Sequence, residues 1–437
     1  MTGVRSCRPA GDRPRPIDAR GSTTYRGDVT EFRISAIATG GDAVSRAADG
    51  RVAFIRGALP GELVRADIVK QAKDFVRGVT VEVVEAADRR RTPSCPHVSD
   101  GCGGCGWQHV ALDYQRELKR QIVVDSLTRI AKLTSVDPLV TIGPELSPGG
   151  HRTTVRAVVA AGHVGFRSYR SHEPVLVGSC EVTDPVLEDL LMRSDFADAT
   201  EVTLRRGIRT GEVIAIVDDE PGKVRLASNR LVTRATVVGS DVLASVDQPT
   251  FHEIISGHKF SISAGSFFQT RTDGAELLVR LVRDGLSSFA GQRAVLADLY
   301  GGVGLFAATL AEGFSDVVSV EREGCSARDA KRNLEASRSA HAVASDVDDF
   351  DLAGYAKRRP TMVVADPARG GLGRAGVERI TEAAPLGIVL VSCDAGSLGR
   401  DAGLLAVNGY ELRSSVLVDM FPHTPHVEVV SCFDPPL

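Results

Sequence analysis

In the C-terminal part of the chain, apolar and polar positions fall into two alternating patterns. V-L-A-D-L-Y, D-V-V-S-V-E, T-M-V-V-A-D and G-I-V-L-V-S-C are short, nearly continuous apolar runs. Strands buried on both faces of a parallel sheet read this way. Between them lie G-L-F-A-A-T-L-A-E, S-A-R-D-A-K-R-N-L and S-L-G-R-D-A-G-L-L, which carry the three-to-four spacing of helices. The alternation predicts a doubly wound parallel sheet over residues 263–437.

Upstream the pattern changes. Over 28–92, V-T-E-F-R-I-S-A-I, R-V-A-F-I, E-L-V-R-A-D-I-V and G-V-T-V-E-V-V are short strands, with turns at Gly40-Gly41, Asp49-Gly50 and Pro60-Gly61. This predicts a small all-β barrel, a shape that often binds nucleic acid. Residues 112–133 have helical spacing, with Leu118, Ile122, Val123, Leu127 and Ile130 on one face and Arg116, Lys119, Arg120 and Arg129 elsewhere. From about 138 to 262 the pattern is mostly β and includes the arginine-studded R-T-T-V-R-A-V-V-A and H-V-G-F-R-S-Y-R. Residues 93–262 are thus expected to form a mostly-β, substrate-facing middle domain. Residues 1–27 are rich in Arg, Pro and Gly without apolar periodicity, and are expected to be a disordered tail.

At 437 residues the chain has room for two or three domains. No apolar run reaches the ~18–20 residues that span a membrane. The N-terminal arginines have no apolar segment behind them, so no secretory signal is read and a cytoplasmic location is expected. The net charge of −4 disfavours an RNA partner only until its distribution is considered. Residues 51–91 hold nine Lys/Arg against six Asp/Glu, and 151–180 hold four Arg against one Glu. Both stretches can present basic faces.

Among eight cysteines, three stand together in C-P-H-V-S-D-G-C-G-G-C-G-W-Q-H, namely Cys95, Cys102 and Cys105. Intervening glycines let a backbone wrap a metal. Zinc and iron–sulfur sites usually take four ligands, and Cys180 in V-G-S-C-E-V-T-D-P is the natural fourth. Spacing does not separate the two metals.

Three further stretches carry chemistry. D-L-Y-G-G-V-G-L-F at 298–306 follows a strand and opens a helix, and its glycines allow close backbone approach to a ligand. Glu321, 20 residues beyond Gly301, can hold ribose hydroxyls. A dinucleotide would also suit such a turn, but G-x-G-x-x-G is absent, and the form is closer to an S-adenosylmethionine pocket. Asp366 ends a strand in A-D-P-A-R-G-G. Methyltransferases acting on amino groups usually show Pro-Pro-aromatic here; Pro367-Ala368-Arg369 points away from amines, with Asp366 able to bond a ring N–H and Arg369 a phosphate. Cys393 ends V-L-V-S-C, and Glu428 lies in F-P-H-T-P-H-V-E. Carbon 5 of uracil is a poor nucleophile until a thiolate adds at carbon 6. The reaction therefore needs a nucleophilic Cys, a methyl donor and a base to remove the carbon-5 proton. Cys393 and Glu428 are the candidates for nucleophile and base.

On these motifs the chain resembles the bacterial RNA uracil-C5 methyltransferases, from about residue 30 to the C-terminus. It is closest to the branch that bears a TRAM barrel and an iron–sulfur cluster. The G-G-D-A turn, D-G-R-V-A-F-I and A-L-P-G-E-L-V carry the likeness to TRAM. The resemblance implies a multidomain α/β protein with a TRAM barrel, an iron–sulfur middle domain and a Rossmann-like class I methyltransferase domain. It implies Cys393 as nucleophile and Glu428 as proton acceptor. Gln269, Tyr300, Glu321, Asp366 and, at the third strand, Asp346 would form the cofactor pocket. Cys95, Cys102, Cys105 and Cys180 would hold a four-iron–four-sulfur cluster in preference to zinc. The expected substrate is a uridine of 23S ribosomal RNA, with transfer RNA as the alternative, acted on by a monomer with no obligate protein partner. The chain departs from the family pattern in three places. The first gap between cluster cysteines is six residues rather than five; Leu305 replaces a cofactor-touching Asn; and Ala395 replaces a Pro after the nucleophile's Asp394. Two other classes compete: a non-catalytic RNA-binding iron–sulfur protein, and a methyltransferase of protein or small molecules.

Overall fold

The structure is a computed structural model that describes residues 29–287 and 294–436. The tail expected over 1–27 lies outside the described residues. Two compact units are present: 29–38 with 42–88, and 39–41 with 89–436.

The first unit contains β1 (Val29–Arg33), β2 (Ala36–Ile37), β3 (Ala43–Arg46), β4 (Val52–Arg56), β5 (Leu63–Gln71) and β6 (Phe75–Glu85), in the order β1-β5-β6-β4-β3-β2. β1 and β2 are successive pieces of one bent strand. The first pairs with β5 and the second with β3, so the sheet closes on itself as a small barrel. Alternate residues such as Phe32, Ala53, Ile55, Val64 and Ala66 fill its interior. On its wall Arg77 stacks over Phe54 at 5.1 Å and Phe75 at 5.5 Å.

The second unit begins with α1 (Leu112–Arg129) and β7 (Val140–Ile142). A six-stranded sheet follows, built from β8 (Thr154–Ala160), β9 (His163–Arg167), β10 (Pro174–Leu176), β11 (Glu201–Arg206), β12 (Glu212–Val217) and β13 (Arg234–Gly239). α2 (Pro185–Arg193) packs against it. Among the described residues, this is the one α-helix among the strands of 140–263. Asp184 caps it by accepting from the Val186 and Leu187 amides, both at 3.1 Å, with Pro185 at the first helical position. A hairpin of β14 (Thr250–Ile255) and β15 (His258–Ser263) leads into α3 (Thr272–Leu286).

The remaining elements are β16 (Val295–Leu299), α4 (Leu305–Leu310), β17 (Asp316–Glu321), α5 (Gly324–Leu334), β18 (Ala340–Ala344), α6 (Leu352–Ala356), β19 (Thr361–Ala365), α7 (Gly373–Glu382), β20 (Gly387–Ser392), α8 (Ala395–Val407), β21 (Glu411–Leu417) and β22 (Val429–Asp434). They form one sheet in the order β18-β17-β16-β19-β20-β22-β21-β7. The first five strands run parallel, as the continuous apolar runs predict. β22 runs antiparallel to both β20 and β21, so the sheet is mixed rather than wholly parallel.

Residues on either side of 262 belong to one compact unit, 89–436. β7 pairs with β21 at the sheet edge, and α1 lies on α8. Glycines let those helices approach closely. A Cβ on Gly399 would lie 2.8 Å from the Ser126 carbonyl oxygen, and one on Gly403 would lie 3.1 Å from Ala131 Cα. Ser126 Oγ donates to the Ala395 carbonyl across this contact. The helical face read from sequence also needs two corrections: Lys119 is fully buried, and Ile130, past the last helical residue, is 48% exposed. Gly399→Val should drive the helices apart and cost about 1–3 kcal/mol, the usual range for overpacking. A urea midpoint unchanged from the parent would show that the contact is slack.

Candidate active site

Five of the candidate residues sit at or just past the ends of strands. Tyr300 follows β16, Glu321 ends β17, Asp346 lies just past β18, Asp366 follows β19 and Cys393 follows β20. This is where open α/β sheets hold their ligands. Glu428 comes from the other direction, immediately before β22. Ser392 pairs with Val429, so one step further Cys393 and Glu428 face each other across the antiparallel pair. Leu299 pairs with Ala365, which brings Tyr300 beside Asp366, whose amide donates to the Leu299 carbonyl at 3.3 Å.

The Gly-rich turn is built from backbone that side chains resist. Tyr300, Gly302 and Gly304 have φ of +58°, +55° and +87°. A Cβ on Gly301 would collide with Ser319 Oγ. Glu321 braces the turn by accepting from the Gly302 amide at 2.9 Å and the Glu323 amide at 2.6 Å. Asp346 accepts from Arg322 Nη1 at 3.3 Å. Behind the turn, buried Asp298 accepts from the Ala307 amide at 3.0 Å, while its other carboxylate oxygen has no partner among the described residues. Burial raises its pKa to about 7. On the opposite side Gln269 Nε2 donates to Asp366 Oδ2 at 3.3 Å.

Acidic groups crowd the thiol. Burial raises Asp366 to about 7. Glu428 is only 3% exposed, and burial, followed by the charge of Asp366, holds its carboxyl well above the usual range. The Cys393 thiol is pushed up to about 11, first by burial and then by Glu428 and Asp366, with Arg369 opposing. His426, beside them, is pushed down to about 4 by burial and by the charges of Arg369, Lys119 and Arg152, so it is neutral at neutral pH.

Cys95, Cys102, Cys105 and Cys180 line one cavity of about 540 Å³ with Arg152, Arg167 and Tyr169. Burial raises the thiols of Cys95 and Cys102, and takes Cys105 to about 12 against the pull of Arg152. Among the described residues no three His, Cys, Asp or Glu side chains gather closely enough to hold a single metal ion.

Several organising residues escape a sequence reading. Asp401, buried on α8, accepts from the Leu372 amide at 2.7 Å and the Gly373 amide at 3.1 Å, and so fixes the A-R-G-G turn after Asp366. Nothing in its helical surroundings marks it. Lys119 donates to Asp419 Oδ1 at 2.6 Å and to the Phe421 carbonyl at 2.9 Å, tying α1 to the loop that carries Glu428. No helix of the described residues is long and apolar enough to cross a membrane.

No protein-family model matches the chain. An uncharacterized RNA methyltransferase of Streptomyces avermitilis is 31% identical over 430 residues, spanning 94% of this chain and 99% of that one. Another, of Streptomyces coelicolor, is 31% identical over 430 residues, spanning 94% and 93%. Among solved structures, the Pyrococcus abyssi tRNA (uracil-54, C5)-methyltransferase in complex with S-adenosyl-L-homocysteine matches with a TM-score of 0.67. That match covers 92% of this chain and 99% of the other at 24% identity, a likeness of fold. With relatives this similar along nearly its whole length, the chain belongs to the RNA methyltransferases.

Proposed function

We propose that this RNA methyltransferase transfers a methyl group from S-adenosylmethionine to carbon 5 of a uridine through a covalent adduct on Cys393. The observation that carries the reading is the β20–β22 register, which sets a thiol and a buried carboxylate face to face.

The donor supplies an electrophilic methyl group on a sulfonium. The cradle around the Gly-rich turn suits it: there is no room for a Cβ at Gly301, Glu321 has lone pairs left for ribose hydroxyls, and one buried Asp298 oxygen has no partner among the described residues. Asp346, Tyr300 and Gln269 complete the pocket. The Cys393 thiolate adds to carbon 6, and the electrons of the 5,6 double bond move toward carbon 5 and the carbon-4 carbonyl. Carbon 5 then takes the methyl group as the sulfonium's bond to it breaks, leaving S-adenosylhomocysteine as the neutral thioether. The Glu428 carboxylate removes the carbon-5 hydrogen as a proton. The pair left behind re-forms the double bond, and the bond between sulfur and carbon 6 breaks. A carboxylate whose pKa is raised by burial is the stronger base for this step. Gln269 and Asp366, already bonded to each other, offer a donor and an acceptor to the ring edge. A stacked base is out of reach of a thiol at a strand end, so the uridine enters flipped.

Cys95, Cys102, Cys105 and Cys180 would hold a four-iron–four-sulfur cluster. Four thiols around one cavity fit that donor set, and the cluster's positive irons would supply the charge that ionises thiols held up by burial. The closed barrel, read as a TRAM domain, and the arginine-lined cavity supply RNA contacts. The substrate on this reading is 23S ribosomal RNA. The fold neighbour that acts on tRNA favours transfer RNA as the second reading.

Labelled S-adenosylmethionine and unmodified total RNA, fractionated and digested to nucleosides, should give label in 5-methyluridine. Label in another nucleoside would overturn the reaction, and the labelled fraction chooses between ribosomal and transfer RNA. Cys393→Ala should abolish both turnover and adduct. Glu428→Gln should accumulate a denaturant-stable RNA adduct on gels, and normal turnover in that variant would remove Glu428 as the base. Without ligands, alkylation of Cys393 by iodoacetamide should rise about tenfold per pH unit between pH 7 and 9, because the reactive thiolate titrates above that window. Glu428→Gln removes a neighbouring negative charge, lowers the thiol pKa and should speed alkylation at pH 9. Equal rates, read by peptide mass spectrometry, would mean that the carboxylate does not act on the thiol.

A further inference from the structure

The loop between β21 and β22, residues 418–428, ends at Glu428 and closes on itself through the Val418 amide and the Glu428 carbonyl at 2.8 Å. Its middle is strained: His423 has φ of +64°, unusual for a residue with a Cβ. Such a conformation persists only where the surroundings hold it. Here both backbone polar groups of His423 are taken. Its amide donates to Gln115 Oε1 at 2.7 Å, and its carbonyl accepts from the Trp107 amide at 2.8 Å. Gln115 is fully buried and spends its amide nitrogen on the Trp107 carbonyl at 3.1 Å and the Val110 carbonyl at 2.9 Å. One turn further along α1, Lys119 reaches Asp419 and the Phe421 carbonyl. Trp107 lies two residues past Cys105.

A buried helix face thus grips the base-bearing loop at both Asp419 and His423, and joins it to the cysteine stretch. We infer that Gln115 and Lys119 are positioning residues for proton removal from carbon 5, acting on Glu428 through the 418–428 loop. The inference rests on the covalent uracil-C5 reading. Their hydrogen bonds run to Trp107, Val110, His423, Asp419 and Phe421 and none to Cys393, so the step they govern on this inference is the one that needs Glu428 in place.

This separation makes the test specific. Gln115→Met keeps the volume and removes the amide bonds. The double variant Lys119→Met with Asp419→Leu removes the buried ion pair without leaving an unpaired charge. Each is purified anaerobically as the full chain, and checked by circular dichroism and by S-adenosylmethionine affinity. Two probes are used: the RNA fraction that accepts label, and the same RNA carrying 5-fluorouridine. Fluorine cannot leave as a proton would, so that RNA is trapped after methyl transfer whatever the base does. The expected result is a tenfold or greater fall in turnover on ordinary RNA with accumulation of the covalent adduct, as in Glu428→Gln. Trapping of 5-fluorouridine RNA should stay within twofold of the parent rate. A parallel fall of turnover and trapping, or lost cofactor affinity, would mean a merely structural role and overturn the inference. Unchanged turnover in both variants would overturn it as well. If the parent protein traps no 5-fluorouridine RNA, the covalent reading itself fails, and the inference falls with it.

Discussion

The site depends on the pairing of β20 with β22. These strands run in opposite directions, and their register sets Ser392 opposite Val429. Side chains alternate faces along a strand, so a slip of one residue would turn Glu428 away from Cys393 altogether. The register is held by what lies inside it. Val389, Val391, Val430 and Cys432 all belong to the main core cluster, and each would have to leave it for the strands to slip. Burial of apolar surface at about 25 cal/mol per Å² thereby fixes the position of two polar atoms.

The same burial that fixes the pair also loads it electrostatically. Asp366, Glu428 and the Cys393 thiol all resist ionisation, and each carboxylate that ionises makes it harder for its neighbours. Crowding of this kind stores basicity where a proton is to be removed. It survives because the surrounding loops are tied down by other parts of the fold. Asp401 holds the turn after Asp366, and α1 holds the loop before Glu428. Elements whose sequence looks like helix surface or linker are in fact the outer wall of the site.

Much of this layout can be read from the chain itself. The parallel strands are apolar runs, and a strand-end residue such as Asp366 announces itself as the polar residue that stops the run, with Cys393 one step past the Ser392 that stops its own. What stays hidden is set by distant partners. Lys119 looks like a solvent residue because Asp419, which neutralises it, lies 300 positions away. β7 is three residues long, too short for any periodicity, and exists because β21 offers it hydrogen bonds. The reversed direction of β22 leaves no local trace, since a central strand of either sense is equally apolar. α2 is different: Asp184-Pro185 is a helix start written plainly in the sequence, overlooked amid β-rich neighbours.

The short β7 has a consequence for how the protein behaves in a crowded solution. Without it, β21 would expose a seven-residue row of unpaired amides and carbonyls, a template for another chain's strand. β7 covers three of those positions, Ser415 to Leu417, and then leaves the sheet after Ile142, too brief to offer a continuous edge of its own. The small strand therefore works as a guard against edge-to-edge association, protecting the side of the sheet nearest the reactive thiol.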